Sequence, residues 1–418
     1  VTSAIQRIAI VGAGPIGLEA ALYGIEAGYE VSVFERGRVG ANINDWGHVR
    51  LFSPFELNAS EWGRRALHKV MPEREFPATG ALLTGREFLE RYLEPLSRLP
   101  QLQGRIQQNT AVRAIGRPRL WKGDLVGQPS RADDRFQLLL SDSHNNDNER
   151  VVRADFVLDC SGTYPHHNWA GAGGIPCVGE LTGLTDRDYR LPDILGSQQS
   201  DFVGKRTLVI GSGYSAATAV VALAELAGSE TSTRAVWLTR GNRMPPMTAI
   251  ENDPLAERSR LANAANRLVL AAADDSGIDW KPGRLVVGIH RSSDADPYLV
   301  RTRQADMCEE FVVDRVIANV GYRPDRTLYE ELQIHECFAT GGPVKLAAAL
   351  LGETSSDCLS QAGHGPDTLR NPEPGFFILG SKSCGRDSRF LLKLGFEQIR
   401  DVFELIAADR TAHVGQEA

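Results

Sequence analysis

Two short runs in this chain place small residues where a phosphate could be cradled. In VGAGPIG, Gly12, Gly14 and Gly17 stand at the spacing G-x-G-x-x-G, with Pro15 and Ile16 completing the turn. In IGSGYSA, Gly211, Gly213 and Ala216 repeat the three small positions around Tyr214 and Ser215. The first small residue permits a tight turn and the second lets the backbone approach a pyrophosphate. The third lets a helix pack closely on a strand. A helix starting there adds unpaired N–H groups and partial positive charge, which suit an anion.

The flanking residues supply the elements that position these turns. Ile8 to Val11 reads as a buried strand, Leu18 to Ala27 as a helix ended by Gly28, and Val31 to Phe34 as a second strand. That strand ends on Glu35, beside Arg36, and a carboxylate there can accept hydrogen bonds from an adenosine ribose. Strand, turn, helix, strand and terminal acid in one unit predict a dinucleotide site. In the second copy, the strands are Thr207 to Ile210 and Ala235 to Leu238, and Thr239-Arg240 stands where Glu35 stood. An acid would repel a 2′-phosphate and an arginine would attract one, so the second site reads as NADPH, with NADH less favoured.

The repetition continues. Each unit is followed by a stretch patterned as a β-meander, RLWKGDLVGQ and RFQLLL in the first, RLVVGIHR and YLVRTR in the second. Each closes on a buried strand and a glycine, FVLDCSGTYP and VIANVGYRPD. Repetition at this scale predicts two related domains. The expected fold class is α/β, with two Rossmann-like domains of parallel sheet plus β-meander, the second inserted in the first. The expected boundaries are 1–202, 203–324 and 325–418.

Bulk composition narrows the partners. At 418 residues, 42% hydrophobic and 24% charged, the chain reads as a soluble globular protein of two or three domains. A formal charge of −7 argues against a nucleic acid or an anionic membrane as partner. The early first strand leaves no room for a signal peptide, so the cytoplasm is the expected location. Cys160, Cys177, Cys308, Cys337, Cys358 and Cys384 form no CxxC, and no Cys/His spacing suits zinc, so no metal is expected. No adjacent dithiol could relay electrons.

With these motifs in hand, the chain resembles the flavoproteins with two dinucleotide-binding domains, and among them the flavin-containing and N-hydroxylating monooxygenases. The carriers are Gly12–Gly17 with Glu35, GKRTLVIGSGYSA, VGYRPD, and the closing NPEPGFFILGS; TGREFLERYLEPLS is similar to the family's helix before the first meander. The resemblance implies FAD on the first turn, with Gly12, Gly14 and Gly17 on its pyrophosphate and Glu35 on its ribose. It implies NADPH on the second, with Gly211, Gly213, Ser215 and Ala216 on the pyrophosphate and Arg240 on the 2′-phosphate. Gly380 and Ser381 would lie by the ribityl arm, and Leu391 and Leu392, near the start of the last helix, would face the flavin. The segment 44–58 would cross the isoalloxazine, bringing Trp46 and Arg50; Trp46 and Phe52 are equally readable as core residues. Arg50, Lys382 and Arg386 are the candidates for contact with substrate.

The pattern departs in three places, one being the absence of CxxC, which argues against disulfide reductases such as thioredoxin reductase. Ser381-Lys382 stands where many relatives carry an acid, and no histidine fingerprint precedes the second turn. His166-His167 reads as hinge or surface packing. The activity implied is transfer of one oxygen from O₂ to a small-molecule nitrogen or sulfur centre through a flavin C4a-hydroperoxide. An NADPH-dependent flavin dehydrogenase or reductase is the alternative, and a non-catalytic redox sensor a third reading. Segment 332–365 is expected to help form the substrate side, with Gly341-Gly342, Lys345 and His364 as candidates, while the run 344–351 reads in the first place as an ordinary helical face. A homodimer is compatible with the chain.

Overall fold

The computed structural model describes residues 5–144, 147–270, 276–293, 295–352 and 363–416. The chain divides into two compact units, Val1–His166 with Arg323–Ala418, and His167–Tyr322. Along the first part of the chain run β1 (Arg7–Val11), α1 (Pro15–Glu26), β2 (Glu30–Phe34), β3 (Ile106–Gln107), β4 (Thr110–Gly116), β5 (Phe136–Asp142), β6 (Arg150–Ala154) and β7 (Phe156–Asp159). The second unit holds β8 (Arg206–Ile210), α2 (Tyr214–Ser229), β9 (Arg234–Thr239), β10 (Ile278–Pro282), β11 (Leu285–His290), β12 (Tyr298–Gln304), β13 (Met307–Val313) and β14 (Arg315–Ala318). The chain then returns to the first unit with β15 (Phe376–Ile378) and α3 (Leu392–Gln416).

The first unit is built on a five-stranded sheet in the order β15-β7-β1-β2-β3, all parallel. The second has a parallel sheet in the order β10-β9-β8-β14. Each unit adds an antiparallel meander, β4-β5-β6 and β11-β12-β13. The order β7-β1-β2-β3 therefore matches β14-β8-β9-β10 strand for strand, and only β15 lacks a counterpart among the described residues. Parallel strands covered on both faces need near-continuous apolar runs. Ile8, Ile10, Val31, Val33 and Leu158 supply this in the first unit, packed against Leu18 and Leu22 of α1. Each such side chain contributes about 1.5–3 kcal/mol when fully buried.

Two expectations are corrected. Residues 119–128 do not form a strand; the first meander uses Thr110–Gly116 instead. The carbonyls of Trp121, Lys122 and Asp124 are taken by side chains of Arg131 and Gln333. Arg131 is itself buried on Glu373, at 2.9 Å. That ties the segment down as an ordered loop. Residues 167–202, expected with the first domain, pack with the second: Gly171 and Val178 bridge to Val286 and Gly288 of β11. The buried Glu180 carboxylate gathers the N–H groups of Ala170, Gly171 and Cys177 with the Tyr189 hydroxyl, which fixes that segment. Among the described residues, no helix is long and apolar enough to cross a membrane, and no group of three His, Cys, Asp or Glu could hold a metal.

Candidate functional site: two glycine turns

In the first unit the turn between β1 and α1 needs its glycines for separate reasons. Gly12 has φ +99°, and a Cβ there would come within 2.9 Å of the Cys160 carbonyl oxygen. A Cβ on Gly17 would lie 2.0 Å from the Gly12 oxygen, so helix and turn close only on glycine. A Cβ on Gly14 would meet nothing within 4 Å. Packing leaves Gly14 free, and its open face is where a ligand can touch backbone. Helix α1 begins at Pro15 with no side-chain cap and no acid in its first turn, so its positive end is not neutralised from within. The Glu35 carboxylate accepts the N–H of Ala13 and of Gly37, each at 2.7 Å. These two bonds fix the carboxylate and leave further lone pairs for ribose hydroxyls. Arg36 beside it is exposed.

Two more turns converge on this one. Gly380, with φ +72°, would place a Cβ 3.2 Å from Ile16, and a Cβ on Gly395 of α3 would lie 2.3 Å from the same side chain. Gly395 thus lets α3 pack closely against Ile16. After β7, Gly162 faces Ser381, whose Oγ would be 3.6 Å from a Cβ there. The 380–383 turn is anchored to α3: Gly380 N–H donates to Gln398 at 2.9 Å, and Gln398 donates to Ser383 Oγ at 2.9 Å. Leu391 directly precedes α3 and Leu392 opens it.

Lys382 is where the structure departs from expectation. It does not face outward toward a substrate. Its ammonium is fully buried, 2.6 Å from Asp159 and 3.0 Å from Ser161 Oγ. Asp159 ends β7, which pairs with β15, so the ion pair links the turns that follow two adjacent strands. The other Asp159 oxygen accepts the Ser161 hydroxyl at 2.6 Å. Sequence reading missed Asp159; an acid inside the apolar run FVLDC was the available signal, because a buried carboxylate requires a partner.

The remaining candidates are dispersed. Arg50 donates to the Leu82 carbonyl, and Trp46 packs on Gly85, where a Cβ would be 2.6 Å from its ring. Arg386 is exposed, and its N–H donates to the Thr340 carbonyl at 2.9 Å. Lys345 is exposed on the helix Val344–Gly352, while Gly342 packs against the Ser383 carbonyl. Within 332–365, residues 353–362, including Cys358, lie outside the described residues. Burial, and next the charge of Asp159, push the Cys160 thiol well above its usual range.

The second unit repeats the first turn with different side chains. Gly211 has φ +139°, and a Cβ would strike the Asn319 carbonyl oxygen at 2.2 Å. Gly213, like Gly14, would meet nothing within 4 Å. Helix α2 begins at Tyr214, again without a side-chain cap or a first-turn acid. Ala216 is fully buried and Ser215 exposed. At the end of β9, Thr239 is buried, its hydroxyl donating to the Gly241 carbonyl at 2.9 Å, while Arg240 is exposed. No acid stands there.

Two parallel sheets carry open-faced glycine turns at their strand ends, the strand–turn–helix geometry of dinucleotide-binding folds. Residues 9–120 match the family described as pyridine nucleotide-disulphide oxidoreductase. The curated relative found, mercuric reductase of Shigella flexneri, is 27% identical over 238 residues, which cover 55% of this chain and 36% of that protein. Among solved structures, a bacillithiol disulfide reductase from Bacillus cereus aligns with a TM-score of 0.66 and 18% identity over 97% of this chain and 99% of that one. An ornithine N-hydroxylase of Kutzneria sp. 744, in complex with reduced FAD, NADP⁺ and L-ornithine, aligns at 0.60 and 17% identity, covering 97% of this chain and all of that one. At these identities the likeness establishes the fold.

Proposed function

We propose that this chain is an FAD-dependent, NADPH-consuming oxidoreductase that transfers one oxygen atom from O₂ to a nitrogen or sulfur centre of a small molecule. Bound FAD would supply the redox chemistry, taking a hydride from NADPH and passing two electrons onward. The residues of the first unit fit that group: Gly12, Gly14 and the uncapped start of α1 toward its pyrophosphate, Glu35 toward its ribose, and the Gly380-Ser381 turn toward its ribityl arm. The start of α3, at Leu391 and Leu392, would turn N–H groups toward the negative charge that a bound flavin gains on reduction. Gly213, the start of α2 and Arg240 fit NADPH.

The observation that carries the finer reading is the state of the thiols at the converging turns. Burial pushes the Cys160 thiol well above its usual range, and Cys384 is buried. A disulfide reductase needs a reactive thiolate. These turns favour chemistry that needs no protein nucleophile. The second reading, a dehydrogenase or reductase without oxygen insertion, is supported by the higher fold similarity to the bacillithiol disulfide reductase.

Anaerobic addition of NADPH to the FAD-loaded protein tests both. Bleaching of the flavin, followed by oxygen-dependent product formed one-for-one with NADPH, supports the oxygenase. Bleaching with reoxidation that incorporates no labelled oxygen into any amine or thioether supports the reductase. An unbleached flavin overturns both.

A further inference from the structure

The strand order of the second unit divides the space over its C-terminal edge. The turn Gly211–Ala216 follows β8, and β8 has β9 on one side and β14 on the other. A dinucleotide with its pyrophosphate on that turn extends one nucleotide over each neighbouring strand. Thr239-Arg240 at the end of β9 takes the adenosine side, so the other nucleotide lies over the end of β14.

The residue directly after β14 is Asn319. It is only 8% exposed, and its side-chain oxygen Oδ1 accepts no hydrogen bond among the described residues. Its backbone is fixed from both sides. The main-chain carbonyl presses on Gly211, and Asn168 Nδ2 donates to the carbonyls of Val320 and Tyr322 at 3.2 and 3.3 Å. Buried polar atoms in native folds are almost always partnered, and an exception calls for a ligand or ordered water. The fold itself does not require an amide here, because the matching position after β7 is Cys160.

We infer that Asn319 is a binding residue for the nicotinamide half of NADPH. Its amide oxygen accepts a hydrogen bond from a ribose hydroxyl or from the carboxamide N–H of that half. The inference rests on the reading of the second turn as the NADPH site, and no covalent step is involved.

Calorimetric titration of the full-length protein with NADP⁺ and, separately, with 2′,5′-ADP tests it, since 2′,5′-ADP lacks the nicotinamide nucleotide. Asn319→Ala is expected to weaken NADP⁺ about tenfold and to leave 2′,5′-ADP within about twofold, the loss of one hydrogen bond. Asn319→Ser, too short to reach the same donor, should behave alike and serves if the alanine variant fails to fold. Equal weakening of both ligands, or of neither, overturns the assignment. A wild-type protein that binds neither ligand overturns the NADPH reading as well, and so separates the two failures.

Discussion

The two glycine turns share a backbone and differ in what surrounds it. Gly12 and Gly211 both press on the carbonyl of the residue after the neighbouring strand, and Gly14 and Gly213 both leave an open face. Around the first turn the structure places charge: Glu35 held by two N–H groups, Glu19 buried in α1, and the Lys382–Asp159 pair. Around the second, the corresponding polar groups are neutral or outward. Thr239 replaces the acid, and Thr218, five residues into α2 as Glu19 is into α1, bonds its own helix at Tyr214. The backbone that would cradle a phosphate is therefore shared between the two units, and the side chains around it are what differ.

The largest test removes the charge found only in the first unit. Lys382→Met leaves Asp159 buried without its cation, and unfolding in urea should show a loss of about 3–5 kcal/mol. Lys382→Met combined with Asp159→Leu should recover most of it; failure to recover would mean that Lys382 acts by more than pairing.

Next comes the shared backbone. Gly17→Val should lower stability by about 3 kcal/mol through overpacking against the Gly12 carbonyl. Gly14→Ala should leave the melting temperature unchanged while weakening FAD, read by fluorescence of the released flavin. If Gly14→Ala binds FAD normally, the open face is not the ligand face.

A smaller effect sharpens the difference between the turns. Arg240→Ala should weaken NADPH by roughly 30-fold, about 2 kcal/mol for a charge-assisted bond, and leave NADH unaltered. Equal losses for both nicotinamides would remove Arg240 from the 2′-phosphate.

The smallest effect concerns Glu19. Burial raises its carboxyl above the usual range, against hydrogen bonds from Ser60 and Tyr92 that lower it. With the folded pKa above the unfolded one, the fold binds the extra proton. Glu19 therefore subtracts stability as pH rises from the unfolded value toward the folded one. Glu19→Gln removes the ionisable carboxyl, keeps an acceptor for one of the two hydroxyls and turns an NH2 donor toward the other, and should flatten that slope as read by urea unfolding.

The strand–turn–helix units, the internal repeat and the open glycines were legible in the residues, because each depends on local spacing. A φ of +99° at Gly12 or a Cβ-free approach at Gly17 is a demand that one turn makes of its own residues. The Trp121 loop was not legible: its apolar residues pattern as a strand, and only the distant Glu373, Gln333 and Arg131 fold it otherwise. Nor was the inward turn of Lys382, whose partner lies 223 residues away in the chain. An ammonium after a glycine reads as a solvent-facing group until β15 is set beside β7. Sequence by itself determined that this protein carries two glycine turns between strand and helix, and where in the chain they fall. Tertiary structure decided which charges are spent inside the fold, since burial and pairing are set by strand neighbours that no local pattern names.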